Sequence, residues 1–207
     1  MSQFKTKLEK SVNVLTESAV NRPWEVKEWY AEYLAQTFYY ITHTTKLLKF
    51  ASEHAKNPEL RECLLHHVKE ENGHEHWAAK DLKNLGYDLK SFPESKLTQG
   101  LYGQIYDGIK KHGPAPIIGY AMALEGMSAN ACPKVAPILI EKYGEKCASF
   151  IKNHAVIDQE HAKEGVNILA FFNDMDMAVI ADYIDLSTKA YVEFLDSIGR
   201  QEKRQTA

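Results

Sequence analysis

Apolar residues return at helical spacing along almost the whole chain, the pattern that gives a helix one buried face. Between Trp24 and His54, for example, Trp29, Tyr33, Phe38, Tyr40 and Leu47 recur in this way. Valine, isoleucine and threonine show no sustained alternation of period two, so the pattern predicts helices rather than strands. Glycine clusters at the joints. A first helix is expected over Phe4 to Val20, broken by Asn21-Arg-Pro23, and a long second helix from about Trp24 to His54. Asn57-Pro58 caps the next helix, with proline in its first turn; it carries Leu64, Leu65, Glu71 and His74 and stops at Gly86. After a loop from Tyr87 to Pro93, a helix spans roughly Ser95 to Lys111, ended by His112-Gly-Pro-Ala-Pro116. The next starts near Ile117 and carries Glu125. Pro133 is expected to break or kink it before a short helix reaches Tyr143-Gly144. A long helix is expected from Glu145 to about Phe172. Asn173-Asp174 caps a last one ending near Gly199, and the polar tail from Arg200 to Ala207 is expected to fray.

One run on the long helix carries chemistry. His154-Ala-Val-Ile-Asp158-Gln-Glu-His161 places three metal-ligand types at offsets 0, 4 and 7. At about 100° per residue these fall within roughly 60° of arc, so all three side chains leave one face. Glu71-x2-His74, in Glu70-Glu71-Asn72-Gly73-His74, does the same on a smaller scale. Glu125 stands alone inside the apolar run Gly119 to Met127, and a buried carboxylate is costly without a partner. A lysine or tyrosine hydroxyl is one such partner and a metal ion another. Together these residues offer two metal ions three carboxylates and three imidazoles. Iron and manganese accept that mixture, and the absence of a thiolate constellation argues against structural zinc. Three carboxylates and two divalent ions leave the filled site at roughly +1, suited to dioxygen or an anionic substrate.

The other histidines read as ordinary. His66, His67 and His76 lie near Glu71 without adding a further regular spacing, and His43, His54 and His112 look like surface or helix-end residues. The aromatic group Tyr30, Tyr33, Phe38, Tyr39 and Tyr40 reads as core, or as the wall of a pocket. Cys132 precedes Pro133 with no base nearby in sequence.

Composition narrows the class. With 207 residues, 44% hydrophobic and 26% charged, a single domain over residues 1–207 is expected. The net charge of −3 includes no basic stripe for nucleic acid. No apolar run approaches the roughly 18 residues of a membrane span, and the first residues lack a signal core. Three scattered cysteines, Cys63, Cys132 and Cys147, make no disulfide framework and fit a reducing cytoplasm.

The order Glu-Glu-Asn-Gly-His, a lone Glu about fifty residues on, then His-x3-Asp-x2-His resembles the haem-oxygenase-like diiron oxidases and oxygenases. These share a fold with haem oxygenase, the TenA thiaminases and pyrroloquinoline-quinone synthase. The resemblance runs from about Trp29 to the last helix. It implies an all-α, haem-oxygenase-like bundle of about seven to eight helices that binds two Fe(II) ions (manganese being possible) and activates dioxygen to oxidise a small molecule. Its metal ligands fall on Glu71 (or Glu70), His74, Glu125, His154, Asp158 and His161. Some members add a glutamate from the preceding long helix, where this chain has Gln36, Tyr40 and His43. One branch oxidises its own side chains, with Tyr30 or Tyr39 as candidate donors here. Related folds commonly pair, so a homodimer is expected. Two alternatives remain at this point. A metal-free TenA-like hydrolase or binding protein would need a cysteine where Glu125 stands, and a ferritin-like iron-binding bundle would use two carboxylate-x2-His pairs.

Overall fold

The computed structural model describes residues 2–200, and the tail expected to fray lies, from Gln201 onward, outside them. Among the described residues the chain is all-α, with nine α-helices, three short 3-10 turns and no strand. The helices are α1 (Ser2–Val20), α2 (Lys27–Ile41), α3 (Thr44–His54), α4 (Pro58–Glu70), α5 (His74–Asn84), α6 (Lys96–His112), α7 (Ala115–Tyr143), α8 (Ser149–Ile168) and α9 (Asp174–Ser197).

Several boundaries differ from the expectation, among them the start of α8 at Ser149 rather than Glu145, after a short 3-10 turn. The helix expected over Trp24 to His54 is two, parted at Thr42-His43, where the Thr42 hydroxyl turns back to the Tyr39 carbonyl oxygen at 2.7 Å. The helix expected from Pro58 to Gly86 parts at Glu71 to Gly73. Gly73 sits at φ 95°, a left-handed conformation that favours glycine. Pro133, expected to break or kink its helix, does not break it. α7 runs through both Pro133 and Pro137. The two prolines are four residues apart on the exposed side, so carbonyls that lose their helical donor face water. The opposite side buries Val135, Ala136 and Leu139, which holds the helix against the core.

α7 is the central element. It packs against α1, α8 and α9, while α2 packs on α5 and α6, α3 on α4, and α5 on α8. Its approach to α9 depends on Gly119, where a Cβ would overlap the carbonyl oxygen of Ile180. The core joins Leu15, Leu34, Leu47, Ile105, Ile184 and Phe194, all essentially inaccessible. An aromatic block around Trp24 closes one side, with Trp29 and Tyr33 stacked and Trp24 edge-on to both at about 5 Å.

α8 has no cap of its own at Ala148. Asp81, fully buried on α5, supplies one: its carboxylate accepts the Phe150 N–H at 2.7 Å and the Ser149 hydroxyl at 2.5 Å. This fixes the start of α8, and therefore the residues of its second to fourth turns, His154, Asp158 and His161 among them. All three cysteines are free, Cys63 exposed and the others buried. No helix among the described residues is long and apolar enough to cross a membrane.

Candidate metal centre

The three expected elements converge. α8 presents His154, Asp158 and His161 from one buried face, and all three are under a tenth exposed. Glu71 closes α4, its N–H bonded to the His67 carbonyl oxygen. Gly73 then turns the chain so that α5 begins at His74 facing the same space. Glu125 enters from α7. A seventh residue joins them. His67, read above as ordinary, lies with its Nε2 3.3 Å from Glu125 Oε1 and 3.8 Å from Glu71 Oε1.

His67 makes a symmetry visible. His67-x3-Glu71-x2-His74 has the same offsets, 0, 4 and 7, as His154-x3-Asp158-x2-His161. The two runs face each other antiparallel, so the first histidine of each meets the last of the other. His67 and His161 ring centroids are 4.8 Å apart, and His74 and His154 are 5.0 Å apart. Two groups able to hold an ion result. One is His67, Glu125 and His161; the other is Glu71, His74 and His154. Glu71 faces both, with Oε2 3.3 Å from His74 Nδ1 and Oε1 3.6 Å from His161 Nδ1. Asp158 belongs to neither group but lies 3.4 Å from His161 Nδ1. Glu70 also stays outside them, 3.6 Å from His66 and 3.9 Å from His161. Both histidine pairs thus come from opposing helices, which is why the sequence distance within each is large.

The nitrogens facing this space are short of partners. His67 Nε2, His74 Nδ1 and His161 Nδ1 are buried with carboxylate oxygens at 3.3–3.4 Å but none in hydrogen-bond geometry, a costly state for polar atoms that a metal ion relieves. His154 is held differently. Its Nδ1 donates to the Phe150 carbonyl oxygen at 2.8 Å, which leaves Nε2 with its lone pair free to ligate. Trp77 stacks on His74 at 4.3 Å and backs the pair. The chemistry of the donor set and these orphaned atoms fit iron.

Electrostatics point the same way. Burial lowers the His67 pKa, but the Glu125 and Glu71 carboxylates more than reverse this and lift it to about 11. Burial raises Glu71, yet His67 and His74 hold its carboxyl well below the usual range. His161 is likewise raised overall, burial being outweighed by Asp158 and Glu125. Positive charge is therefore in demand at the centre of the site.

Two cavities flank it. An inner one of about 100 Å³ is walled by Tyr33, Tyr40, Tyr120, Tyr191, Cys132 and Phe150, and reaches Glu71, His154 and Asp158. An outer one of about 360 Å³ has His67, Glu125 and His161 on its wall. Tyr30 and Tyr39, the candidate donors for self-oxidation, line neither: their hydroxyls donate to the carbonyls of Cys147 and Leu89. At the position where the resemblance allows an extra glutamate, Gln36 bonds instead to Pro93, Ser95 and Thr98, and His43 stacks on Tyr102 at 3.6 Å.

The sequence profile of the iron-containing redox enzymes matches residues 31–190, a span that includes every residue of both groups. The chain belongs to that family. No curated protein matches the chain. Among solved structures, this member of the iron-containing redox enzymes is similar to a domain of unknown function with a haem oxygenase-like fold from Shewanella denitrificans. The two are 22% identical, with a TM-score of 0.85 over 98% of this chain and 94% of that one. A TenA homologue from Pyrococcus horikoshii OT3 matches at 14% identity and TM-score 0.75, covering 95% and 98%. One from Pseudomonas syringae matches at 13% and 0.72, covering 93% and 91%. These likenesses show the haem oxygenase-like fold.

Proposed function

We propose that the protein is a non-haem oxidoreductase that holds two iron ions and uses dioxygen to oxidise a small molecule. The antiparallel pairing of the two His-x3-acid-x2-His runs carries this reading. It builds two ligand groups side by side, with Glu71 in one and facing the other. His67, Glu125 and His161 would hold one ion and Glu71, His74 and His154 the other, with Asp158 orienting His161 or joining the first. Imidazole and carboxylate without thiolate suit iron or manganese. When bound, such ions supply electrons to dioxygen and leave coordination positions open, since these side chains cannot saturate both.

The chain's own residues do the rest. The Phe150 carbonyl oxygen fixes the His154 tautomer, and Asp81 fixes α8 on which His154 rides. The inner cavity keeps water scarce, because its walls are chiefly aromatic and aliphatic and two of its tyrosine hydroxyls pair, Tyr33 with Tyr191 at 3.5 Å. Burial raises the hydroxyl pKa of Tyr40 to about 12, so that wall stays neutral. A small molecule and dioxygen are the expected partners, in a reducing cytoplasm that suits Fe(II) and three free cysteines.

The metal-free hydrolase alternative needs an activated thiol. Burial pushes the Cys132 thiol up to about 12, and its hydrogen-bond partner is Ser128 at 3.1 Å rather than a base. The ferritin-like alternative calls for a different bundle from the haem oxygenase-like fold found here. An oxygen electrode tests the proposal. Protein loaded anaerobically with Fe(II) consumes dioxygen faster than the same concentration of free Fe(II), and Glu125→Ala abolishes the excess. Equal rates for wild type and free Fe(II) would sink it.

A further inference from the structure

The two cavities beside the metal centre meet it differently. The outer one touches His67, Glu125 and His161, which all belong to one ligand group. The inner one touches His67 and Glu125 of that group and also Glu71 and His154 of the other. A molecule that is to react with both ions must reach both groups, and of the two cavities the inner one allows it. Size then limits what fits. At about 100 Å³ the inner cavity is smaller than the ~150 Å³ that admits a benzene ring, whereas the outer one, at about 360 Å³, takes a small organic molecule. α7 lines the inner cavity from Ile117 to Val135, about 27 Å at 1.5 Å per residue, so this small space is drawn out into a slit with Glu125 near its middle. Among the described residues, its wall carries no charged side chain beyond those of the metal centre. Ala131, Val135, Ile151 and Leu195 on that wall are each 2% exposed or less. The Cys132 thiol is paired with Ser128 and the Tyr33 hydroxyl with Tyr191, so a water there finds few partners and an apolar guest is favoured.

We infer that the inner cavity is a binding site for a small apolar gas, dioxygen, held against both ligand groups, while the organic substrate approaches one group alone from the outer cavity. This deepens the two-iron reading and rests on it for what the gas meets. The binding itself rests on the size and apolarity of the slit. Burying a molecule the size of one or two methylenes enriches it about fourfold to fifteenfold over water. Ala131 gives a handle on it. It lies on α7 outside both ligand groups, and a longer side chain there fills the slit without removing a ligand.

Dioxygen is paramagnetic, so methyl NMR locates it. The full chain is loaded with Zn(II), which accepts imidazole and carboxylate ligands without redox chemistry, and equilibrated with dioxygen. The methyls of Ala131, Val135, Ile151 and Leu195 relax faster than those of Leu34, Leu47 and Ile105, which are as deeply buried but line neither cavity. Ala131→Leu removes the difference. Val135→Ala widens the slit and enlarges it, which keeps the test open where the longer side chain prevents folding. Loaded anaerobically with Fe(II), Ala131→Leu holds as much iron as wild type, but its second-order rate of dioxygen consumption falls about fourfold to fifteenfold. The inference is overturned if the inner methyls relax no faster than the equally buried controls, if benzene shifts them in the wild type, or if the variants leave the relaxation and the rate unchanged. Protein that shows the methyl effect yet, loaded with Fe(II), consumes dioxygen no faster than free Fe(II) overturns the two-iron reading and supports the gas site.

Discussion

Replacing Asp81 by alanine removes the side chain that starts α8, and with it the support for the helix that carries His154, Asp158 and His161. Two donors lose their acceptor, the Phe150 N–H at 2.7 Å and the Ser149 hydroxyl at 2.5 Å. An orphaned buried N–H costs about 1–3 kcal/mol, and loss of a helix cap about 1 kcal/mol. Part of this returns, because Asp81 is itself costly to keep ionised. Burial raises its pKa despite the donors from Phe150 and Ser149. The net loss is about 2 kcal/mol, which in a chain of this length lowers the melting temperature by roughly 4–8 °C. Differential scanning calorimetry of the metal-free protein reads it. Asp81→Asn keeps one acceptor and loses less. The raised pKa also sets a sign. A carboxyl whose folded pKa lies above its unfolded value of about 3.9 contributes most below that pH and loses the contribution as pH rises through the folded value. Wild type minus Asp81→Asn therefore falls as pH climbs from about 4 toward neutral. An unchanged melting temperature in Asp81→Ala, or a difference that grows with pH, refutes the account of how α8 is anchored.

Three further outcomes follow from the same geometry. Gly119→Ala forces a Cβ into the Ile180 carbonyl oxygen and within 2.9 Å of Tyr183 Cβ, so α7 and α9 must part and urea unfolding shows a loss of about 1–3 kcal/mol; an unmoved midpoint contradicts that packing. Metal binds the folded site and relieves its orphaned nitrogens, so at a free concentration 100 times the dissociation constant Fe(II) or Mn(II) stabilises the fold by about 2.7 kcal/mol, and a melt that matches the chelator control contradicts it. Val156, Val166 and Met175 are 70%, 53% and 78% exposed on α8 and α9, apolar surface that suits the expected homodimer; light scattering at 23.6 kDa instead of about twice that mass refutes it.

Most of the site could be read along the chain because α8 is one unbroken helix. Its period of 3.6 residues converts the offsets of His154, Asp158 and His161 directly into a shared face. His67 was harder to see although it has the same spacing to Glu71 and His74. That run crosses the end of α4, where Gly73 turns the backbone, so a straight-helix projection does not apply beyond Glu71. What brings His67 to Glu125 is the tertiary fold, in which side chains of α4 and α7 reach one another, a fact with no local trace. Glu125 itself was legible from its apolar neighbours, but its partner was not: it is a histidine on another helix rather than the lysine or tyrosine hydroxyl that burial alone suggested. Helix boundaries followed local signals where caps decided them, as at Asn57 and Asn173, whose side chains accept the first free N–H groups. They departed where burial decided, as along α7, where Val135 and Leu139 on the core side outweigh the two prolines facing water.

The central claim is that two antiparallel runs build two adjacent ion sites, and metal counting tests it most directly. Protein loaded anaerobically with Fe(II), desalted and assayed for iron and protein should hold about two irons per chain. His67→Ala and His74→Ala, which strike different ligand groups, should each fall to about one, and the double substitution to about none. Wild-type protein that retains no iron above background, or His67→Ala protein that keeps both ions, contradicts it.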